Sequence, residues 1–352
     1  MVHARRAALV AASLVALAAV GCGSAGSTHV SRIAIAAPGG ASDVGWSQQG
    51  VAAAETVARR LRVPARVASG LTAANAAATL ERLAQGGPSL LIAHDRAPGT
   101  AAAAAAVAAR SHVPTLVFGA PRRLRPRLVG DVEVAAEQGG FLAGYIAARA
   151  SYIPSVGIVV AADDPAWFRT AGGFIAGARA FSPHVRIAYT YAGGGNADAP
   201  ASQRAAERLI AGRTQMVLGL GDGSTAGVMA ATQRALNARG AEHFDAMFVD
   251  VIGDKSDTGI KALSGLTAIQ WNFAPAYRQA LADLRAGRFG TRTYTLDLAN
   301  GGITLMHDGR TPADNYAAAL KLGQEVAAGQ VKVPVATTNA QVLALLRGRP
   351  GA

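Results

Sequence analysis

The feature that most constrains this chain is a rhythm in which short apolar, β-branched runs alternate with alanine-rich helical runs. Strand-like runs fall at 31–37, 64–68, 89–93, 115–119, 156–162, 185–191, 215–220 and 246–252. Helical patterns fall near 46–61, 72–85, 100–110, 134–149, 166–181, 201–211, 224–238, 273–286 and 313–328. Strands separated by helices of this length make βαβ units, and hence an α/β protein with parallel sheets. Eight such strands could close into one barrel or divide into two open sheets. Two features favour two sheets. The segment "TYTLDLANGGITLMHDG" (293–309) leaves the rhythm and reads as a hairpin around Asn300–Gly301–Gly302. The two halves also echo one another: each opens with a strand followed by a turn bearing Asp and Trp, "ASDVGW" (41–46) and "ADDPAW" (162–167). The expected architecture is therefore two doubly wound, Rossmann-like lobes with a ligand cleft between them. Ligands of open α/β sheets bind beyond the carboxyl ends of the strands, where both turns lie.

A chain of 352 residues is long enough for two cores, and 51% apolar residues exclude a disordered one. Aromatic residues make up only 5%, so each Trp, Tyr or Phe is informative. The net charge of +12 is carried by arginine, since only Lys255, Lys261, Lys321 and Lys332 are lysines. Apart from "APRRLRPR" (120–127) the arginines are scattered, the pattern of a solvated basic surface rather than a nucleic-acid footprint. The N-terminus has the form of an export signal: "MVHARR" is a positive leader and "AALVAASLVALAAV" an apolar core too short to span a membrane. Residues 1–21 read as a signal peptide and 22–30 as a flexible tether. Cys22, the chain's sole cysteine, follows the apolar core directly. The stretch "LAAVGCGSAGS" resembles a bacterial lipobox, with Ala19 where leucine is more usual, and this implies acylation (palmitate) of Cys22 and a lipid anchor.

The sequence carries few patterns with catalytic potential. "GDGSTA" (221–226) satisfies G-x-G-x-x-G/A, and Asp250 closes the next strand where a ribose-binding acid would sit, so a dinucleotide enzyme is a competing reading. A glycine-rich strand-to-helix turn is also what any doubly wound lobe needs. Gly221, Gly223 and Ser224 are read as a helix N-terminus offering backbone N–H groups to ligand oxygens. His94 and Asp95 end a strand and can line the cleft, although such a histidine is more often a satisfied loop residue. Of the Asp163–Asp164 pair, Asp164 suits the N-cap of the helix that starts at Pro165. The seven histidines show no metal spacing, and no G-x-S-x-G, H-E-x-x-H or P-loop occurs. No catalytic residue, metal or cofactor is expected.

Five stretches, "GASDVGWSQQG", "EQGGFLAGYIAAR", "FIAGARAF", "GDGSTAGVMAA" and "GGITL", in this order, resemble the basic membrane protein (Bmp) family. The likeness runs from about residue 31 to about 335. It implies a lipoprotein substrate-binding component of an ABC importer, with the type I periplasmic-binding fold, three crossovers and a nucleoside-like ligand. It places the first-loop Asp on Asp43 and the stacking aromatic on Trp46. Ser47 stands where asparagine is commoner, and Trp271 where the family has a cleft lysine. The ribose-binding acid falls on Asp250 or Asp254, and Gly119 and Ala120 stand where an acid is frequent. Trp167, beside Phe168, is a further candidate for the mouth of the cleft, or packs on its own lobe. The implied division is 31–131 for the first part of lobe one and 132–271 for lobe two. Residues 272–352 would return to lobe one, with a C-terminal hairpin and helices crossing the hinge. Implied partners are an ABC permease and ATPase at the extracytoplasmic face of the cell membrane, with the protein a monomer that binds no nucleic acid. The alternatives are an exported α/β enzyme using the same cleft, or a sugar-binding or sensor protein of the same fold.

Overall fold

The computed structural model describes residues 29–40, 45–192, 198–240, 243–253, 255, 265–307 and 311–348. The signal segment, Cys22, Asp43 and Asp254 lie outside the described residues.

Two six-stranded sheets, not one barrel, accommodate the chain. The first contains β1 (Ile33–Ala36), β2 (Ala65–Ala68), β3 (Leu90–Ala93), β4 (Thr115–Phe118), β5 (Val129–Val134) and, from much later in the chain, β11 (Thr293–Leu296). Its order is β11-β5-β4-β3-β1-β2, with every pairing parallel. The second contains β6 (Ser155–Val160), β7 (Arg186–Tyr191), β8 (Met216–Leu220), β9 (Met247–Val251), β10 (Gly265–Trp271) and β12 (Ile303–His307). Its order, β12-β10-β9-β8-β6-β7, repeats that of the first sheet, except that β12 runs antiparallel. Central strands such as β1, β3, β4, β6 and β8 are buried along their whole length, which is why their sequences are unbroken apolar runs rather than alternating ones.

The eight anticipated strands are present. Strand β5 was not anticipated, because Asp131 and Glu133 interrupt its apolar run. Asp131 is nevertheless buried, accepting the Ala120 N–H at 2.8 Å and the Thr293 hydroxyl at 2.9 Å. It thereby ties the exit of β4 and the incoming β11 to β5. The hairpin expected at 293–309 is corrected. Strand β11 pairs with β5 of the first sheet and β12 with β10 of the second, so the Asn-Gly-Gly turn links the lobes. The turn is stiff. Asn300 Oδ1 accepts the N–H groups of Asp297 (3.2 Å) and Gly302 (2.8 Å), Asn300 Nδ2 donates to Thr295 O, and Gly301 adopts φ 71°.

Helices α1 (Trp46–Leu61), α2 (Ala76–Ala84) and α3 (Pro98–Ser111) serve the first sheet, as does α8 (Ala274–Arg285), which packs on α1 and β11. The second lobe has α4 (Ala136–Ala150), α5 (Pro165–Phe181), α6 (Ala199–Ala211) and α7 (Asp222–Asn237). It also holds α9 (Ala313–Ala327) on α4 and α10 (Asn339–Arg347) on α5. Within residues 272–352, α8 and β11 lie with the first sheet, while β12, α9 and α10 lie with the second lobe. Three connections cross between the sheets: the one through α4, the one through α8, and the 297–302 turn.

Helices α4 and α5 approach at backbone contact. A methyl group at Gly140, Gly144, Gly173 or Gly177 would overlap the carbonyl oxygen of Thr170, Phe174, Glu137 or Phe141 respectively. This explains the glycines of "EQGGFLAG" and "FIAGARAF". The Glu137 carboxylate takes both Arg169 Nε (2.6 Å) and Nη2 (3.2 Å) from α5, while Gln138 Oε1 accepts the Leu298 N–H of the crossover turn.

Candidate functional site

On the first-lobe side, α1 begins at Trp46, which is 8% exposed. Its ring stacks on His94 (4.4 Å between centroids, 18°) and meets Phe118 and Phe273 edge-on at 5.3 and 5.1 Å. The indole N–H donates to His94 O at 2.9 Å. His94 in turn bonds through Nε2 to Trp46 O at 2.8 Å. A carbonyl only accepts, so Nε2 carries the proton, and Nδ1 accepts from the Tyr277 hydroxyl at 3.0 Å. Complete burial pushes the Tyr277 phenol well above its ordinary value. Gly50 makes room for this histidine, since a methyl there would overlap the imidazole. His94 is thus a fully buried, hydrogen-bonded support under Trp46. Ser47 is buried and accepts the Gly39 N–H at 2.8 Å, holding the turn after β1. Asp95 accepts from Ala97 N and Thr100 Oγ1, which fixes the loop before α3.

On the second-lobe side, Asp164 caps α5 as its neighbours suggested, accepting the Ala166 N–H at 2.9 Å. It also forms an ion pair with Arg96, which stands on the β3–α3 loop of the other lobe. The Arg96 guanidinium lies 5.3 Å from the ring centroid of Trp46 and 5.4 Å from that of Trp167. Trp167, 4% exposed, stacks on Trp271 at 5.8 Å and 25°, and Trp271 meets Trp46 edge-on at 6.1 Å. All three tryptophans of the chain therefore meet where the lobes face one another. Trp271 is completely buried, and its indole N–H has no hydrogen-bond partner among the described residues.

Deeper in the second lobe, Asp250 is buried at the end of β9. It receives Lys255 Nζ at 2.8 Å and the Val251 N–H at 2.6 Å. Gly221 caps α7 at φ 120°, a conformation that favours glycine. Gly223 is partly exposed. Ser224 is buried, with its hydroxyl turned to Val159 O at 3.4 Å and away from solvent. Among the described residues no group of His, Cys, Asp or Glu could hold a metal, and none of the described helices is long and apolar enough to cross a membrane.

Sequence reasoning missed Arg96 and Lys255, and missed that Asp164 reaches across the cleft. The Arg96–Asp164 pair joins loops far apart in sequence and so leaves no local pattern, whereas Lys255 stands only five residues after Asp250 and was open to a local reading. Phe273 and Tyr277 were legible in principle, because "WNFAPAY" (271–277) concentrates aromatics in a chain that has few.

Two lobes with the same strand order, joined by three connections and meeting at the carboxyl ends of their strands, define a two-lobed solute-binding protein of the type I periplasmic-binding class. The chain belongs to the Bmp family (ABC transporter substrate-binding protein PnrA-like), whose family model matches residues 30–336. Among solved structures it is similar to an ABC transporter solute-binding protein from Conexibacter woesei DSM 14684. That likeness has 24% identity, 87% of this chain, 99% of that one and a TM-score of 0.71. It is similar as well to an ABC transporter solute-binding protein from Aeropyrum pernix K1, at 17% identity, 89% and 96% coverage and a TM-score of 0.71. A more distant likeness is to a periplasmic solute-binding protein of Actinobacillus succinogenes 130z with bound D-allose, at 13% identity, 80% and 99% coverage and a TM-score of 0.57. No curated protein matches the chain. The protein is therefore an extracytoplasmic solute-binding component of an ABC transporter and not an enzyme.

Proposed function

We propose that the protein binds a nucleoside or similar flat heterocyclic solute between its lobes and presents it, with the lobes closed, to an ABC permease and its ATPase. The observation that carries this reading is the meeting of Trp46, Trp167 and Trp271 at the facing loops. Flat apolar faces suit a planar ring, and aromatic stacking on a base is worth about 1–3 kcal/mol without reading its identity. Asp250 beside Lys255, or Asp254, would take the hydroxyls of a sugar, and Asp43, Ser47 and the α7 N-terminus at Gly221, Gly223 and Ser224 complete the proposed contacts. Asp250→Asn tests the acid more cleanly than Asp250→Ala, because it keeps a side chain against the buried Lys255 ammonium. Closure is driven by contacts that the solute makes to both lobes at once.

Tryptophan emission and calorimetry with a panel of nucleosides, nucleotides, pentoses and hexoses test the reading. A nucleoside should change the emission, and Trp46→Ala should remove most of the affinity. A sugar is the second candidate, since the Actinobacillus succinogenes protein was solved with D-allose. Tight binding of a free sugar, or of a nucleotide in preference to its nucleoside, would sink the stacked-ring site. Residues 1–21 are proposed as a cleaved signal and Cys22 as the acylated anchor of a monomeric protein. In Cys22→Ser cells the protein should leave the membrane fraction, and unchanged retention there would disprove the anchor.

A further inference from the structure

The interlobe contact has an unusual composition. Arg96 extends from the first lobe so that its guanidinium is shared between one tryptophan of each lobe, within cation–π range of both. Its charge is balanced by Asp164 of the second lobe. The two side chains are only 19% and 16% exposed, so the pair is largely desolvated. Such a pair holds only if its geometry is well matched. The surroundings match a guanidinium closely, offering flat π faces for a flat cation and a carboxylate oxygen for its N–H fork. The same oxygen is fixed by the Ala166 N–H, so the acceptor is held in place by the start of α5 and not by Arg96 alone.

We propose that the faces of Trp46 and Trp167 and the carboxylate of Asp164 form a receptor for a planar, donor-rich group, and that Arg96 is its internal occupant. The inference rests on the reading of the interlobe cleft as the solute site and sharpens it. A solute bearing a guanidine, amidine or amino-heterocycle edge displaces Arg96 and takes Asp164 as its acceptor. Solutes offering only acceptors toward that corner leave Arg96 where it is. Arg96 thus sets specificity by competition: it raises the affinity a solute needs, and it keeps the lobes stitched together until such a solute arrives.

The test is Arg96→Ala titrated with methylguanidinium, followed by calorimetry and tryptophan emission. Methylammonium controls for charge without planarity, and urea for planarity without charge. R96A should bind methylguanidinium about tenfold or more tightly than the wild type does, and more tightly than either control. Adding Asp164→Asn should abolish that preference. Small-angle scattering should show R96A more open, with methylguanidinium restoring the compact form. Equal binding by wild type and R96A, or a preference that survives Asp164→Asn, overturns the proposal. Should R96A fail to fold alone, refolding in methylguanidinium against methylammonium gives the same comparison: rescue by the first only supports the receptor, and rescue by neither or by both overturns it. The nucleoside panel on the wild type separates this inference from the proposed function. Guanidinium binding by R96A without any nucleoside binding would remove the heterocycle and leave the receptor; the reverse would remove the receptor alone.

Discussion

The two lobes have the same strand order but build their cleft-facing walls differently. In the first lobe the wall is a neutral nest. Trp46 is stacked on His94, hydrogen-bonded to it in both directions, and buttressed by Phe118, Phe273 and Tyr277, all carried by elements that pack on the first sheet. In the second lobe Trp167 stacks on Trp271, at the end of β10 of its own sheet, and leans on one group delivered from elsewhere, Arg96 of the first lobe. The difference teaches that one half of the cleft is pre-organised within its lobe, while the other is completed only when the lobes meet. Four tests, using five substitutions, probe how far that contrast goes.

The largest effect is expected at Gly177, in the helix pair on which the second lobe is built. An added methyl would overlap the Phe141 carbonyl with no side chain able to give way, so Gly177→Ala should destabilise by more than about 4 kcal/mol. Urea denaturation should show the second lobe unfolding first. A single transition with wild-type midpoint would mean that α4 and α5 can separate freely. Next, Trp46→Ala removes a ring packed chiefly on its own lobe and should cost about 3–5 kcal/mol. Trp167→Ala should cost visibly less, because part of its support comes from the other lobe. Equal losses in denaturant midpoints would erase the contrast.

The third test is pH. Burial raises the Asp131 carboxyl from 3.8 to about 6, against the lowering effect of its hydrogen bonds from Ala120 and Thr293. The folded chain therefore holds this proton more tightly than the unfolded one. The associated stability is present in full below pH 3.8 and is lost as pH rises through about 6. Between about pH 4 and pH 7 the wild type should lose on the order of 3 kcal/mol relative to Asp131→Asn. Parallel stability curves for the two proteins would show that the carboxylate is already ionised when folded. The smallest effect is expected from His94→Phe, which keeps the stack but strands the Trp46 carbonyl and the Tyr277 hydroxyl, at about 1–3 kcal/mol. A neutral result in thermal melts would recast the histidine as a mere ring.

The alternation of elements was legible because it depends on local pattern. Where it failed, the cause was non-local. Strand β5 was hidden because Asp131 looks like a loop residue until Ala120 and Thr293 are brought to it. The Asn-Gly-Gly turn has the local chemistry of a hairpin, yet each flanking strand finds a better partner in a different sheet. The candidate site followed the same division. Trp46 and Trp271 stood out because aromatics are scarce, and the Asp164 cap because its neighbours Pro165 and Ala166 are adjacent in sequence. The cations were missed. The cleft looked as if it lost a positive charge when Trp271 took the place of lysine, whereas Arg96 supplies one from the other lobe and Lys255 another from the turn just after β9.

The late arrival of β11 has a consequence for how the molecule is made. Residues 293–296 complete a sheet whose other strands lie within residues 33–134, so a chain emerging N-terminus first carries an unfinished first lobe through the synthesis of the entire second one. Throughout that interval the outer edge of β5 is unclaimed, and an unclaimed edge recruits strands from neighbouring chains. Asp131 and Glu133 stand on that edge strand. Their charges make a premature partner costly until Thr293 arrives with the hydroxyl that Asp131 accepts. The two acids that obscured the strand in the sequence thus keep its place open for the one segment able to satisfy it.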